Sequence, residues 1–115
     1  MKVLVTFAVE AEFAPWRRLR SDWVVNELLH AYEFYANNLQ VCVILTGIGC
    51  RRPWYVNAIT RWGREFDVCI SSGLAGALKP EHKVGDVLVA RGIRDFKKQD
   101  LFRCDCDLVQ SAAEC

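Results

Sequence analysis

One run near the start of the chain constrains the fold more than any other feature. Val3 to Val9 is apolar or β-branched at every position, and Glu10 follows it directly. A strand with one wet face alternates apolar with polar residues, so this unbroken run predicts a strand buried on both faces of a sheet. Sheets with such strands are covered by helices. We therefore expect an α/β protein.

The rest of the chain continues this order. Patterning predicts helices over Glu10–Leu19, Pro53–Arg64 and from Leu108, and strands over Ala31–Tyr35, Leu39–Thr46, Phe66–Ile70 and Val84–Ala90. Asn37-Asn38 is typical of a tight turn between the first two of these strands. Pro15 belongs in a first helical turn, which places the start of the first helix proper near Ala14. Positions 21–30 are ambiguous, and positions 91–107 read as charged and irregular. A strand–helix alternation of this kind predicts a mixed, mainly parallel central sheet flanked by helices. The strands near Val3, Leu39, Asp67 and Val84 are expected to share it, the first parallel to the third.

Length and composition suit a single globular domain. The chain has 115 residues, of which 52% are hydrophobic and 25% charged, so it can bury one core and is not a disordered segment. The last predicted helix stops without a cap or a terminating glycine. We therefore expect residues 1–115 to form a partial, truncated domain.

Charge and hydropathy exclude several partners. A formal net charge of +1 provides no basic patch for a nucleic acid, and no apolar run approaches the roughly 18 residues of a membrane span. The first strand lacks a cleavage motif, so it does not read as a signal peptide, and a cytoplasmic protein with reduced cysteines is expected. Cys104, Cys106 and Cys115 lack the paired spacing of a zinc site. We expect neither a metal nor an organic cofactor.

Two short glycine loops follow apolar strands. They are Thr46–Gly49 and Ser72–Gly76. Open α/β sheets bind ligands beyond the carboxyl ends of their strands, where glycine lets the backbone approach a ligand. Tight turns after strands also use glycine for purely structural reasons. Both interpretations stand, although two such loops on one sheet favour a binding edge.

Acidic residues follow the first strand. Glu10 and Glu12 come where a carboxylate could reach the same edge and act as a base or position a water molecule. Acids in a first helical turn also stabilise the helix dipole. The sequence leaves these two interpretations open.

These segments together resemble a known family. The segments Ala8–Glu12, Thr46–Gly49, Ser72–Leu78 and Lys83–Val89 are similar in order and spacing to the N-terminal half of the purine nucleoside phosphorylase and nucleosidase superfamily. The resemblance extends to about Val89. A glycine loop followed by Val-Gly-Asp-Val is its most specific part.

The resemblance implies a fold, a reaction and a site. The fold would be nucleoside phosphorylase-like, and the reaction would cleave the N-glycosidic bond of a purine nucleoside with water or phosphate, in a homo-oligomer when complete. Glu12 matches the carboxylate that orients the attacking water. The positions that match loops lining the base, ribose or phosphate are Gly47, Gly49, Gly73, Leu74, Ala75 and Gly76.

The chain also departs from the family. Leu74 replaces a serine of the nucleosidases, and Ser71 replaces a phosphate-binding arginine of bacterial phosphorylases. The later segment that supplies the acid for the purine has no match in the chain. The alternative is therefore a non-catalytic remnant or a nucleoside-binding module.

Overall fold

The computed structural model describes residues 1–27, 31–50, 59–60, 63–95 and 97–115. Two compact units divide the chain, Met1–Ala75 and Gly76–Cys115. The first unit contains β1 (Lys2–Phe7), α1 (Glu10–Arg17), β2 (Val24–Asn26), β3 (Ala31–Ala36), β4 (Leu39–Leu45) and β5 (Val68–Ser71). The second contains β6 (Gly92–Arg94), β7 (Leu101–Arg103) and α2 (Cys106–Ala113).

The first unit is built on a mixed five-stranded sheet with the order β2-β3-β4-β1-β5. β1 runs parallel to both of its neighbours, pairing Val3 with Val41 on β4 and with Val68 on β5. β3 runs antiparallel to both β2 and β4. The turn between β3 and β4 contains Asn37 at a φ of +52°. The predicted α/β class, the parallel pairing of the first and Asp67 strands, and the turn at Asn37 are confirmed.

The central strand β1 is buried on both faces, as its unbroken apolar run predicts. Its odd-numbered side chains Val3, Val5 and Phe7 pack with residues of β3, β4 and α1 in one cluster. Leu4 packs on the opposite face with Ala31, Cys42 and Ile44. Alternation along one strand therefore supplies both layers of the core.

Helix α1 is held on the sheet by an aromatic cluster, defined here as Phe7, Phe13, Trp16, Trp23, Tyr32 and Phe34. Phe13 is completely buried, and its ring centroid lies 5.1 Å from that of Tyr32 and 5.2 Å from that of Trp23. The edge-on packing of Phe13 against Trp23 is a favourable geometry for aromatic rings. This cluster fixes the helix that carries Glu12.

The predicted start of α1 near Ala14 is wrong. The helix begins at Glu10, with Val9 in extended conformation before it, and Pro15 lies inside it. A carboxylate explains the earlier start, because Glu12 accepts a hydrogen bond from the Val9 amide (3.3 Å) while its own amide donates to the Val9 carbonyl (3.2 Å). This reciprocal pairing satisfies amides that a helix start leaves unpaired.

The predicted strand Val84–Ala90 is wrong. The segment forms no strand and pairs with no other strand in the part of the chain that the structure describes. Its first half is a turn in which Gly85 has a φ of +98° and the Asp86 carboxylate accepts from the Lys83 amide (2.8 Å). A strand is maintained by ladder bonds to a neighbour, and an apolar run does not supply that neighbour.

The second unit also contains elements that the sequence did not predict. β6 and β7 form an antiparallel hairpin, pairing Ile93 with Phe102, inside the stretch expected to be irregular. α2 begins two residues before the predicted Leu108, because the Asp105 side chain caps it by accepting from the amides of Asp107 and Leu108 (both 3.0 Å).

Some predicted elements lie only partly within the residues that the structure describes. The predicted helix Pro53–Arg64 lies mainly outside them, although Ile59 and Thr60 are helical and Gly63–Glu65 forms a 3-10 turn. No helix among the described residues is long and apolar enough to cross a bilayer. The five cysteines whose side chains are described are free thiols, namely Cys42, Cys69, Cys104, Cys106 and Cys115.

Candidate functional site

Three chain segments meet at the carboxyl end of β1. Because β1 is parallel to β4 and β5, the loops that leave all three strands lie at the same edge of the sheet. The Gly47 amide donates to the Ala8 carbonyl (2.8 Å), and the Ser72 amide donates to the Thr6 carbonyl (2.9 Å). Both glycine loops are therefore tied to the end of one strand, the position at which open α/β sheets bind ligands.

Glu12 joins the start of α1 to the loop after β5. Its Oε2 accepts from the amides of Ala8 (2.9 Å) and Val9 (3.3 Å), while Oε1 accepts from the Leu74 amide (3.0 Å). Three backbone N–H groups from two distant segments thus point at one carboxylate. Charge-assisted bonds of this kind are stronger than neutral ones.

These contacts keep the carboxylate ionised. The Leu74 N–H is the largest cause that lowers the pKa of Glu12 below its usual 4.5; burial opposes it, and the amides of Ala8 and Val9 lower the pKa further. Hydrogen bonds to a carboxylate favour its charged form. At neutral pH the site therefore contains a fixed negative charge.

The two oxygens of Glu12 differ in what they can still accept. A carboxylate oxygen offers about two acceptor directions. Oε2 uses both on Ala8 and Val9, whereas Oε1 accepts one bond from Leu74 among the contacts the described residues make. Oε1 is thus the oxygen with capacity to orient a further N–H or O–H donor.

The loop after β4 has a conformation that requires glycine. Gly47 and Gly49 have φ values of +77° and +71°, in the left-handed region that L side chains rarely adopt. Thr46, which is buried, donates from its hydroxyl to the Gly47 carbonyl (3.1 Å). The structure therefore places Gly47 beside Ala8 and puts Gly49 in the short 3-10 turn Ile48–Cys50 that follows.

Glu10 takes a different direction from Glu12. Its Oε1 lies 3.2 Å from the Arg17 guanidinium on the same helix, and both side chains are 43% exposed. An exposed pair of this kind stabilises the helix only slightly. Of the two acids that follow the first strand, Glu12 is the one whose described hydrogen bonds include the Leu74 amide.

The four predicted site residues from Gly73 to Gly76 differ in whether they contact Glu12. Gly73 and Leu74 contact Glu12, and Leu74 does so through its backbone, since its side chain is 84% exposed. Ala75 is exposed at the end of the first unit, and Gly76 begins the second unit. A Cβ at Gly76 would meet no described heavy atom within 4 Å.

Sequence reasoning missed the backbone groups that build this site. The donors to Glu12 are the amides of Ala8, Val9 and Leu74, and an amide is present at every residue except proline. A usable signal was the spacing from Val9 to Glu12, which is that of an N-cap and its third helical residue. It predicts that Glu12 reaches back to the strand end.

A surface cavity of about 290 Å³ lies at the other end of the sheet. It is lined by Met1, Lys2, Tyr35, Asn37, Asn38, Leu39 and Gln40. These residues surround the amino ends of β1 and β4, whereas Glu12 lies beyond the carboxyl end of β1. This cavity is therefore separate from the candidate site.

Comparison with known proteins agrees with this architecture. Residues 2–111 match the family model of the phosphorylase superfamily. The chain is 34% identical over 96 residues to a 5'-methylthioadenosine/S-adenosylhomocysteine nucleosidase of Exiguobacterium sp.; the match covers 82% of this chain and 41% of that relative. The chain thus spans about two-fifths of the length of the curated relative it matches. The match to the family model covers nearly all of the sequence, and the chain belongs to the phosphorylase superfamily.

Proposed function

We propose that this chain supplies part of a site that cleaves the N-glycosidic bond of a purine nucleoside. One observation carries the proposal: the ionised Glu12 carboxylate at the carboxyl end of β1, 3.0 Å from the Leu74 amide of the neighbouring glycine loop. Membership of the phosphorylase superfamily and the similarity to a nucleosidase support it.

The chemistry calls for a fixed negative charge. In such a cleavage an oxygen of water or phosphate bonds to C1′ of the ribose, and the bond from C1′ to the purine nitrogen breaks, its electron pair leaving with the base. The base takes up a proton, and in hydrolysis the attacking water loses one. Positive charge develops on the ribosyl group in the transition state. A carboxylate already held in place stabilises that charge without reorganising during the reaction.

The hydrogen bonds of Glu12 suit it to orient a nucleophile. A lowered pKa makes the carboxylate a weak base, and the best general bases have a pKa near the working pH. Oε1 has acceptor capacity left, so it can hold an O–H of the attacking water or of a ribose hydroxyl. We propose that Glu12 acts by positioning and by charge.

The same geometry supports a second candidate. Because both oxygens of Glu12 already accept backbone hydrogen bonds, the carboxylate can be explained as a residue that shapes a nucleoside-binding edge without catalysis. Both candidates require a nucleoside at this edge, so binding tests them together, whereas base release that depends on Glu12 is possible for the first candidate alone.

The test uses the purified 115-residue chain. Binding of methylthioadenosine, S-adenosylhomocysteine, inosine and adenosine is followed by amide NMR, and base release by chromatography with and without phosphate. We expect saturable shifts at the amides of Gly47 and Leu74. We expect no release at an enzymatic rate, because no acid for the leaving purine is identified and such an acid contributes about 10²–10⁴-fold.

A pair of matched variants shows whether nucleoside binding depends on Glu12. Glu12→Gln should abolish nucleoside binding or weaken it strongly, whereas Glu10→Gln should not, since Glu10 pairs with Arg17. Absence of binding by every nucleoside would refute the proposal. Rapid release that is lost in Glu12→Gln and retained in Glu10→Gln would exclude the non-catalytic candidate.

A further inference from the structure

We propose that Gly73 is a positioning residue for Glu12: the space left by its missing side chain is what allows the Glu12 carboxylate to reach the Leu74 amide. The inference rests on the proposed role of Glu12 and extends it to a residue that acts through Glu12.

The distances place Gly73 against the carboxylate. A Cβ built on Gly73 would lie 2.9 Å from Oε1 of Glu12, 3.2 Å from its Cδ and 3.3 Å from its Oε2. Contacts under 3.0 Å are far inside ordinary van der Waals separation, which begins near 3.5 Å. An alanine at this position and the present position of the carboxylate therefore exclude each other.

The requirement for glycine is spatial here and not conformational. The glycines at positive φ are Gly47, Gly49 and Gly85 among the described residues, so the backbone of Gly73 is one that alanine also adopts. Any effect of Gly73→Ala must then come from the new methyl group. This separates Gly73 from Gly47, where the conformation itself demands glycine.

The displaced atom is the one that matters for the site. Oε1 is the closest atom to the missing Cβ, and it is also the acceptor of the Leu74 amide (3.0 Å). A methyl group at this position is accommodated by moving Oε1 away from the loop or the loop away from Oε1, and either shift lengthens the bond between Oε1 and the Leu74 amide. The bond to Leu74 is therefore the first to be lost.

The experiment measures Glu12 and Leu74 directly, without any substrate. The Glu12 carboxyl pKa is determined by ¹³C NMR, and hydrogen exchange of the Leu74 amide by ¹⁵N NMR, in the 115-residue chain and in Gly73→Ala. We expect the Glu12 pKa to rise toward 4.5 and the Leu74 amide to exchange at least about tenfold faster, as befits the loss of one charge-assisted hydrogen bond. Gly63→Ala is the control, since among the described atoms its Cβ would meet Ile59 at an ordinary contact distance of 3.8 Å, and it should change neither value.

A double-mutant cycle keeps the test decisive if Gly73→Ala alters the loop generally. Glu12→Ala removes the carboxylate that the new methyl group would meet. In that background Gly73→Ala should leave Leu74 exchange unchanged, within about twofold. Equal effects of Gly73→Ala with and without the Glu12 carboxylate would overturn the proposal, as would an unchanged Glu12 pKa. Failure of nucleoside binding would instead bear on the proposed function alone.

Discussion

Removing the ring of Phe13 should cost the first unit much of its stability. Phe13 is completely buried, and its centroid lies within 6.0 Å of the rings of Phe7, Trp16, Trp23 and Tyr32. Truncation of a buried phenylalanine to alanine costs about 3–5 kcal/mol, and contacts with four rings favour the upper half of that range.

A loss of this size is large compared with the total free energy of unfolding of the first unit. Folded domains have a free energy of unfolding of about 0.05–0.15 kcal/mol per residue, which for a unit the size of Met1–Ala75 is roughly 4–11 kcal/mol. A loss near 4 kcal/mol lowers the urea midpoint by about 2 M if the m-value is about 2 kcal/mol/M. Helix α1 should loosen together with the core, and the Leu74 amide should lose the protection that Glu12 provides.

The assay is urea unfolding followed by tryptophan fluorescence, because all four tryptophans lie in the first 75 residues. Phe13→Leu keeps an apolar side chain in the same space and should cost less than about 1.5 kcal/mol. Leu19→Ala removes a side chain that is 80% exposed and should change stability by less than about 0.5 kcal/mol. A Phe13→Ala penalty below about 1 kcal/mol, or one matched by Leu19→Ala, would show that the aromatic cluster does not hold α1.

Three further outcomes are expected. The pKa of Glu12 lies below 4.5 in the folded protein, so the contribution of this carboxylate to stability is complete above that pH and is lost as the pH falls through the lowered pKa. Acid titration should release the Leu74 amide below pH 4.5. Release above pH 6 would contradict this. Gly47→Ala, at a φ of +77°, should cost about 1–2 kcal/mol. Gly63→Ala, whose Cβ among the described atoms would meet Ile59 at 3.8 Å, should be nearly neutral in the same urea titration, and equal costs would refute the argument from φ. Burial raises the pKa of the Cys42 thiol to about 12. A thiol reagent at pH 8 should therefore label the exposed cysteines first and Cys42 only on unfolding. Early labelling of Cys42 would mean that the sheet opens readily.

The sequence predicts the sheet well where burial decides the outcome. Val3–Val9 has to be covered on both faces, and β1 has a neighbouring strand on each side and core residues on both faces. The pairing of β3 with β4 followed from two strand patterns and an Asn37-Asn38 turn. These features depend on local pattern and on apolar area, both of which can be read from residues.

The errors arise where a partner or a cap decides the outcome. Val84–Ala90 has a strand pattern but no paired neighbour among the residues that the structure describes, and the hairpin of β6 and β7 has pairing without a strong pattern. α1 begins at Glu10 in spite of Pro15, because the Glu12 side chain and the Val9 backbone satisfy the first turn. Side-chain caps of this kind contribute about 1 kcal/mol, enough to move a boundary that propensity alone would place elsewhere.

The candidate site likewise has features that the sequence predicts and features that it does not. Glu12 and the glycine loops could be identified as candidates, because carboxylates and glycines at strand ends are visible in the sequence. That the Leu74 amide, and not its side chain, contacts Glu12 could not be predicted, since every loop residue offers an amide. The choice between Glu10 and Glu12 depended on rotamers that pair Glu10 with Arg17.

The strand order has a consequence for the speed of folding. β3 and β4 are joined by a short turn and pair locally, whereas β1 must find Val41 on one side and Val68 on the other, both far along the chain. Closing long loops costs entropy before any contact compensates for it, so distant parallel pairings form slowly. The edge that carries Glu12 is made only when β1 has docked between β4 and β5. In a refolding experiment the contact between Glu12 and Leu74 should therefore appear with the slowest phase of sheet formation, after the β3–β4 hairpin has formed.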